Sequence, residues 1–400
     1  MTTSKTTRRR AIALGLGIAS VGAALALNNR QAQLFAAKNN QDFAVEGNTA
    51  LKERAVAKKL LYGAATSYFK LNLDANFATS FLSECGILMA EGDLLWCAMR
   101  PTIKTFAFDR ADWFVEFAHS QNMVCGAAHL VWHQCLPYWF KDGVNQQNAQ
   151  KVMLDHIKTV VGRYAGKIHF WTVVNEAVNP DNGREDGLVT DSPWLKFVGP
   201  NYIDIAFRAA AEADPNALLL FNENDLEYDN AYQERKRTAL LKLLERLKSQ
   251  GTPIHALGIQ AHLNPDKGEI NPSQLKAFLR NVAQLGLEIV VTEMDVTDKD
   301  LPRDHNVRDR MVARIYEDFL LAVLDEPATS SVITWGLSDR FTWLSGFAKR
   351  NDGSSVRPLP LDAQLNRKLA WNAIARAFDQ APSRNGSSKL WDAWNKLASS

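Results

Sequence analysis

From about residue 58 onward, the sequence alternates short apolar runs with amphipathic stretches of helical periodicity. This alternation is typical of βαβ units, which build a parallel sheet covered by helices. Helices are predicted at Tyr202–Ala213 and at Arg235–Gln250, where leucines recur at helical spacing opposite charged residues. The eight predicted strands are Leu60–Ala65, Gly86–Glu91, Val124–Trp132, His169–Asn175, Leu218–Asn222, Ala256–Ala261, Glu288–Thr292 and Val332–Trp335.

Eight strands with intervening segments predict a (β/α)8 TIM barrel, an α/β fold with a single catalytic domain over residues 45–380. The alternative is an open doubly wound sheet, which would want a glycine-rich phosphate loop, and no GxGxxG occurs. Residues 381–400 begin as a linker and continue as a short amphipathic segment that we expect to dock on the barrel rather than on a membrane or partner. Its apolar side carries Leu390, Trp391, Trp394 and Leu397.

The first 36 residues have the features of an export signal. Arg8, Arg9 and Arg10 precede an uncharged apolar run from Ala11 to Leu27. The paired arginines and the mildly apolar run resemble a twin-arginine signal, so we expect recognition by export machinery and a periplasmic or secreted protein. An uncleaved membrane anchor is the alternative, but the run is short and rich in Ala and Gly.

Charge and cysteine content narrow the possible partners. Removing the five positive charges of the first 36 residues takes the net charge from +2 to −3. We find no basic stripe, so nucleic acid is not an expected partner. The sequence contains no CxxC, HExxH or phosphate loop, so no metal or organic cofactor is predicted.

The sequence has four cysteines. In an exported protein, which reaches an oxidising compartment, they can form one or two disulfides. Buried thiols are the equal alternative. If bridges form, we expect them to tie together the regions of the second and third strands. The cysteines are Cys85, Cys97, Cys125 and Cys135.

Two glutamates stand where predicted strands end: Glu176 after the fourth strand and Glu293 after the seventh. The carboxyl ends of barrel strands line the mouth of the barrel, so both side chains are expected to face one cavity. Two facing carboxylates suit cleavage of a glycosidic bond, because one protonates the leaving oxygen and the other attacks the anomeric carbon. We therefore predict Glu176 and Glu293 as the catalytic pair.

Neighbouring strand ends carry supporting groups. Gln260 and His262 are two residues apart along a strand, so their side chains point to the same side of the sheet. Glu293 and Asp295 have the same spacing on the next strand. We predict a hydrogen-bonded row from Glu293 through His262 to Asp295. The alternative for His262 is a core histidine with satisfied hydrogen bonds.

The sequence has eleven tryptophans, whose flat faces can pack against sugar rings. We expect Trp335 to form the floor under the sugar at the cleavage point, Trp343 to cover it and Trp132 to form a wall. For any single tryptophan, core packing is the alternative.

Together these motifs resemble glycoside hydrolase family 10, the barrel-type endo-β-1,4-xylanases, over roughly residues 55 to 378. The resemblance implies retention of anomeric configuration through a glycosyl-enzyme, with Glu176 as general acid/base and Glu293 as nucleophile. It also implies a polysaccharide or oligosaccharide substrate. In addition, it implies that Asn175 binds the 2-hydroxyl of the sugar at the cleavage point. A monomer is expected. The motifs are WTVVNEA (Trp171–Ala177), GIQAHL (Gly258–Leu263), VTEMDV (Val291–Val296) and TWGLSDRFTW (Thr334–Trp343).

The sequence departs from the family pattern at positions that, in the family, bind sugars on the non-reducing side of the cleaved bond, called the glycone side. Glu91 is kept on the second strand, and His129 follows the position of a missing histidine. The family's asparagine, lysine, histidine and tyrosine are here Gly92, Leu95, Ala128 and Asn224.

A site that loses hydrogen-bonding groups loses discrimination, so we hypothesise that plain xylan is a poor substrate or that the glycone differs. Another β-glycan, such as a bacterial exopolysaccharide, is one alternative. A non-catalytic sugar-binding barrel is a second, and a retaining cellulase-type barrel is a third.

Overall fold

The computed structural model describes residues 42–399, and the predicted signal lies outside this range. The strands all pair in parallel, in the order β6-β5-β4-β3-β2-β1-β9-β8-β7. Their bounds are β1 Leu61–Thr66, β2 Ile87–Ala90, β3 Val124–Ala127, β4 Phe170–Asn175, β5 Leu218–Glu223, β6 Ala256–Ile259, β7 His262–Leu263, β8 Glu288–Val296 and β9 Thr329–Thr334.

The sheet closes on itself because β6 also pairs with β8, with Ala256 opposite Glu288. β7 is a two-residue continuation of β6 after a break at Gln260 and Ala261, where Ala261 has a φ of 59°. Eight barrel strands therefore form the predicted TIM barrel, and this prediction is confirmed.

Helices cover the outside of the barrel. Within residues 42–399, every helix is too short or too polar to span a bilayer. The bounds are α1 Leu51–Val56, α2 Tyr68–Leu73, α3 Ala75–Glu84, α4 Trp96–Met99, α5 Asp109–Ser120, α6 Phe140–Gly143, α7 Ala149–Arg163, α8 Pro193–Val198, α9 Tyr202–Ala213, α10 Ala231–Ser249, α11 Pro272–Gln284, α12 His305–Val323, α13 Leu344–Phe347, α14 Leu369–Gln380 and α15 Lys389–Ala398.

Some predicted boundaries were wrong. The predicted third strand, Val124–Trp132, ends at Ala127 as β3. Leu130 and Val131 are still buried and their N–H groups still bond to β4, at 2.9 and 2.8 Å, but outside a regular ladder. An apolar run indicates that residues are buried, not that they form a strand. Here the residues stay buried after the strand has ended, so the predicted strand was too long.

A second, smaller core fills the barrel interior with residues that point inward from the strands. Phe170 of β4 lies against Gly126 of β3 so closely that a Cβ on Gly126 would come within 1.9 Å of its ring. Only glycine allows this approach.

One disulfide joins Cys97 in α4 to Cys135 in the segment after β3. It ties together the regions of the second and third strands, as we expected for any bridge. Cys85 and Cys125 are buried thiols.

The C-terminal helix α15 closes the barrel at the amino ends of its strands. Leu390 is fully buried in the cluster that fills the barrel, and Trp391 and Trp394 pack against it. The backbone N–H of Lys389 donates to the Glu288 side chain at the start of β8, over 3.0 Å. The helix therefore seals the end opposite the mouth.

Leu390→Ala is expected to lower the free energy of unfolding by about 2–4 kcal/mol, because it leaves a cavity in a packed interior. Activity at low temperature should be unchanged, since the mouth lies at the other end. Denaturant unfolding would measure this, with the exposed Asn395→Ala on the same helix as control. Equal midpoints for the two variants would contradict the sealing role.

Candidate active site

The backbone at Glu176 turns sharply where β4 ends. Its φ is 52°, a left-handed conformation that is uncommon outside glycine. The turn is held by the Glu176 N–H, which donates to the Asn222 carbonyl over 3.0 Å. Such local strain persists only where the surrounding structure enforces it, and here it directs a carboxylate at the barrel mouth.

Three side chains donate hydrogen bonds to the Glu176 carboxylate. Trp132 Nε1 and Gln134 Nε2 lie 2.8 and 3.2 Å from Oε2, and Gln260 Nε2 lies 2.9 Å from Oε1. The carboxylate is half-buried, so it stays open to a ligand. Its orientation is therefore fixed from two sides.

The Glu293 carboxylate lies deeper, with a relative exposure of 4%. Asn222 Nδ2 donates to Oε1 over 2.6 Å, and His262 Nε2 lies 3.3 Å from Oε2. Burial alone would raise the pKa of Glu293, but the hydrogen bond from His262, the electrostatic effects of His129 and His262 and the hydrogen bond from Asn222 outweigh it and lower that pKa. Glu293 is thus held as a carboxylate.

His262 connects Glu293 to Asp295, whose Oδ1 lies 2.9 Å from Nδ1. Burial alone would lower the pKa of His262, but Asp295 and Glu293 raise it well above its ordinary value. The imidazole is therefore positively charged between two carboxylates. Trp343 Nε1 completes the row by donating to Asp295 Oδ2 over 2.7 Å.

Asn175 links the two glutamates. Its Oδ1 accepts hydrogen bonds from Asn222 Nδ2 at 2.9 Å and from Gln260 Nε2 at 3.2 Å. These partners in turn bond to Glu293 and Glu176, so both carboxylates belong to one network. The Asn175 Nδ2 group is buried and has no hydrogen-bond partner among residues 42–399.

Aromatic rings stand beside His262, which contacts Glu293. The Trp343 ring lies 5.1 Å from that of His262 and stacks on Phe347 at 4.7 Å. Trp335, which follows β9, meets His262 edge-on at 6.3 Å. Phe347 is 77% exposed, so this aromatic group extends from the buried carboxylate to solvent.

The histidine missing at position 128 is offset by its neighbour. Ala128 is buried in the barrel interior, whereas the His129 ring lies at the mouth, with Nε2 3.7 Å from Glu293 Oε1. His129 also meets Trp132 edge-on at 5.3 Å. Burial lowers the pKa of His129, although the nearby Glu293 acts against this effect.

Glu91 follows β2 at the same end of the barrel, where Lys70 of α2 donates a hydrogen bond to its Oε2. The two side chains are 23% and 20% exposed. Lys70 is thus a cation beside Glu91 that belongs to a different element from Leu95.

Sequence reasoning missed several residues of the network. Asn222 ends the predicted fifth strand, so the strand-end rule applied to Glu176 would have identified it. Gln134 lies in a segment without regular structure, and no local pattern singles it out.

A buried ion pair lies behind the segment that follows Glu176. Lys236 Nζ lies 2.9 Å from Glu223 Oε1, and Glu223 Oε2 accepts the N–H of Val178 over 3.0 Å. Lys236 also donates to Asn224 Oδ1, so the asparagine at the family's tyrosine position takes part in this support.

No group of three or more His, Cys, Asp or Glu side chains within residues 42–399 is arranged to hold a metal ion. The arrangement at the mouth is instead one buried carboxylate, one half-buried carboxylate and an aromatic wall. This set suits acid–base and nucleophilic chemistry on a sugar.

Comparisons with known proteins show what this chain is similar to. The profile of Glycosyl hydrolase family 10 matches residues 50–377. Endo-1,4-beta-xylanase B of Thermotoga neapolitana is 30% identical over 341 residues, which cover 84% of this chain and 93% of that protein. Endo-1,4-beta-xylanase A of Fusarium oxysporum f. sp. lycopersici is 36% identical over 272 residues, 66% of this chain and 80% of that protein.

Among solved structures, xylanase 10B of Thermotoga petrophila RKU-1, in complex with xylobiose, has a TM-score of 0.75 at 30% identity. The match covers 84% of this chain and 99% of that chain. The family profile ends within α14, so helix α15 lies beyond it.

Proposed function

Because the chain belongs to glycosyl hydrolase family 10, we propose that it is a retaining glycoside hydrolase of the endo-1,4-beta-xylanase type, which cleaves internal β-1,4 linkages of a polysaccharide. The observation that carries the proposal is the pair Glu176 and Glu293 in one hydrogen-bonded network at the barrel mouth. A non-catalytic sugar-binding barrel would not need a buried carboxylate held ionised by a charged histidine.

In the first step the Glu293 carboxylate attacks the anomeric carbon from the α face. The bond to the leaving oxygen breaks, and Glu176 gives that oxygen its proton. The products are a glycosyl-enzyme ester on Glu293 and a shortened chain with a new non-reducing end.

In the second step Glu176, now ionised, takes a proton from water. The water attacks the same carbon from the β face and displaces the Glu293 carboxylate, so the β configuration is restored. The Asn175 Nδ2 group supplies a donor for a hydroxyl of the bound sugar, and Trp335 and Trp343 supply apolar surface beside it.

The test is an assay of the protein without its first 36 residues on xylan, mixed-linkage glucan, cellulose and bacterial exopolysaccharides, with new reducing ends as the readout. Glu293→Ala runs beside it as the inactive control. We expect release from xylan that the variant lacks. Release from another glycan alone would keep the mechanism and replace the substrate, and no release from folded protein would overturn the proposal.

Replacing His262 by Asn keeps a polar side chain and removes the positive charge beside Glu293. Because His262 lowers the pKa of Glu293, that pKa should rise in the variant. Activity is present above this pKa and is lost as the pH falls through it, so the acid limb of kcat/KM should move to higher pH. The exposed His119→Asn is the control, and an unmoved limb would contradict this electrostatic role.

We propose further that the protein is exported through its N-terminal segment and acts as a monomer. Support comes from the sequence alone: Arg8 and Arg9 precede an apolar run. Replacing both arginines by lysine should retain the full-length protein in the cytoplasm, as cell fractionation would measure. Sedimentation of the exported protein would give its oligomeric state.

A further inference from the structure

The two glutamates divide the barrel mouth into two flanks. In the closed sheet, strands β9, β1, β2 and β3 lie between β8 and β4 on one side, and β5 and β6 lie between them on the other. A polysaccharide cleaved internally must place sugars on both sides of Glu176 and Glu293, and therefore on both flanks. The first flank carries Glu91 after β2 and Lys70 in α2, directly after β1.

Lys70 and Glu91 form a polar pair that a ligand can reach. The Lys70 ammonium donates to the Glu91 carboxylate, and each side chain remains about one-fifth exposed. An ammonium has three donors, so donors remain for a ligand. Next to the pair, Gly92 leaves space: a Cβ there would meet nothing within 4 Å among the described residues.

The helix that carries Lys70 is attached to the loop that carries Glu91. The N–H of Tyr68, at the first residue of α2, donates to Asp93 Oδ2 over 2.6 Å, and Asp93 is buried. The Tyr68 ring also packs edge-on against Trp113 of α5, at 5.0 Å. Two contacts besides the ion pair therefore fix the position of Lys70 relative to the mouth.

We propose that Lys70 is a specificity-determining residue of this flank. Its ammonium, oriented by Glu91, donates hydrogen bonds to the hydroxyls of the sugar one unit beyond the one attacked, on the non-reducing side. Helix α2 thus provides the cation that Leu95 cannot provide. The inference rests on the proposed function and narrows it to a neutral β-1,4-linked sugar at this position.

A purely structural role of the Lys70–Glu91 ion pair would give a different result when Lys70 is replaced. The pair is mostly buried, so with a purely structural role the loss of Lys70 would lower stability and leave the preference between substrates of different length unchanged. A binding role instead predicts an effect that depends on whether the second sugar is present. The two roles separate in the ratio of kcat/KM between substrates of different length.

The experiment compares dinitrophenyl β-xylobioside with dinitrophenyl β-xyloside as substrates, because only the first places a sugar beside Lys70. Lys70→Met should lower kcat/KM about 10- to 100-fold on the bioside, mainly through KM, and less than about threefold on the xyloside. The exposed Lys151→Met is the matched control and should change neither value.

A second variant tests the relocation itself. Adding Leu95→Lys to Lys70→Met returns an ammonium from the position that relatives use, and it should recover part of the loss on the bioside. A thermal melt of each variant checks folding. An unchanged ratio in Lys70→Met, with active wild-type enzyme, would overturn the role of Lys70 and leave the proposed function intact. Wild-type enzyme that cleaves neither glycoside would contradict the proposed function itself.

Discussion

Glu293→Ala is expected to lower kcat/KM on every substrate by at least about 10⁴-fold, because no other described carboxylate takes its place at the anomeric carbon. The loss should be the same for poor and good leaving groups, since formation of the glycosyl-enzyme fails in both cases. Glu293→Gln should be equally inactive, and it keeps the size of the side chain that Asn222 and His262 contact.

Azide identifies the lost group. In Glu293→Ala a small anion can enter the cavity on the α face and attack an activated glycoside, which gives a glycosyl azide of inverted, α configuration. Proton NMR of the product would establish this. The exposed Glu245→Ala should keep wild-type activity and form no azide product. Retained activity in Glu293→Ala, or a β-azide from it, would show that the nucleophile is another residue.

The barrel and its two principal carboxylates were accessible from sequence for a physical reason. Strand and helix periodicities record which faces are buried, and the carboxyl ends of parallel strands converge at one mouth. Two such ends were therefore enough to place Glu176 and Glu293 in one network. The rule extends to Asn222, which the sequence analysis passed over although it ends a predicted strand.

Other contacts could not be deduced from local pattern, because they join elements that are distant along the chain. Lys70 reaches Glu91 from a different βα unit. The apolar side of α15 could be identified from the sequence, and we expected it to dock on the barrel. The spacing of its apolar residues does not indicate which end of the barrel Leu390 enters. Where the strand pattern breaks, at Ala261, backbone strain rather than hydrophobicity sets the geometry.

On the glycone side, contacts between distant elements change the expected substrate. The replaced residues suggested weaker binding of the sugars on the glycone side, because Gly92, Leu95 and Ala128 each lack a polar side-chain group. The structure places the His129 imidazole 3.7 Å from Glu293, and our proposal assigns an ammonium on this side to Lys70. A loss of xylan cleavage therefore does not follow from the substitutions alone.

Glu176→Ala should produce a loss that depends on the leaving group. On xylan, whose leaving oxygen needs a proton, kcat/KM should fall by about 10²- to 10⁴-fold, the range for loss of a general acid. On dinitrophenyl β-xylobioside, whose leaving group departs without a proton, formation of the glycosyl-enzyme should be nearly as fast as in wild type. Its breakdown should be slow, because no base activates water, so a burst of dinitrophenol should precede a slow steady state.

Azide should then act in the opposite stereochemical sense to its action on Glu293→Ala. It needs no general base, and it attacks the glycosyl-enzyme on Glu293 from the β face, so the product is a β-glycosyl azide and the steady state accelerates. Stopped-flow absorbance and proton NMR would measure the burst and the configuration. Trp132→Phe is a useful comparison, because it removes one hydrogen bond to Glu176 Oε2 and keeps the carboxylate, so it should show neither a burst nor azide capture. An equal loss on both substrates, or an α-azide from Glu176→Ala, would contradict the assignment of Glu176 as acid/base.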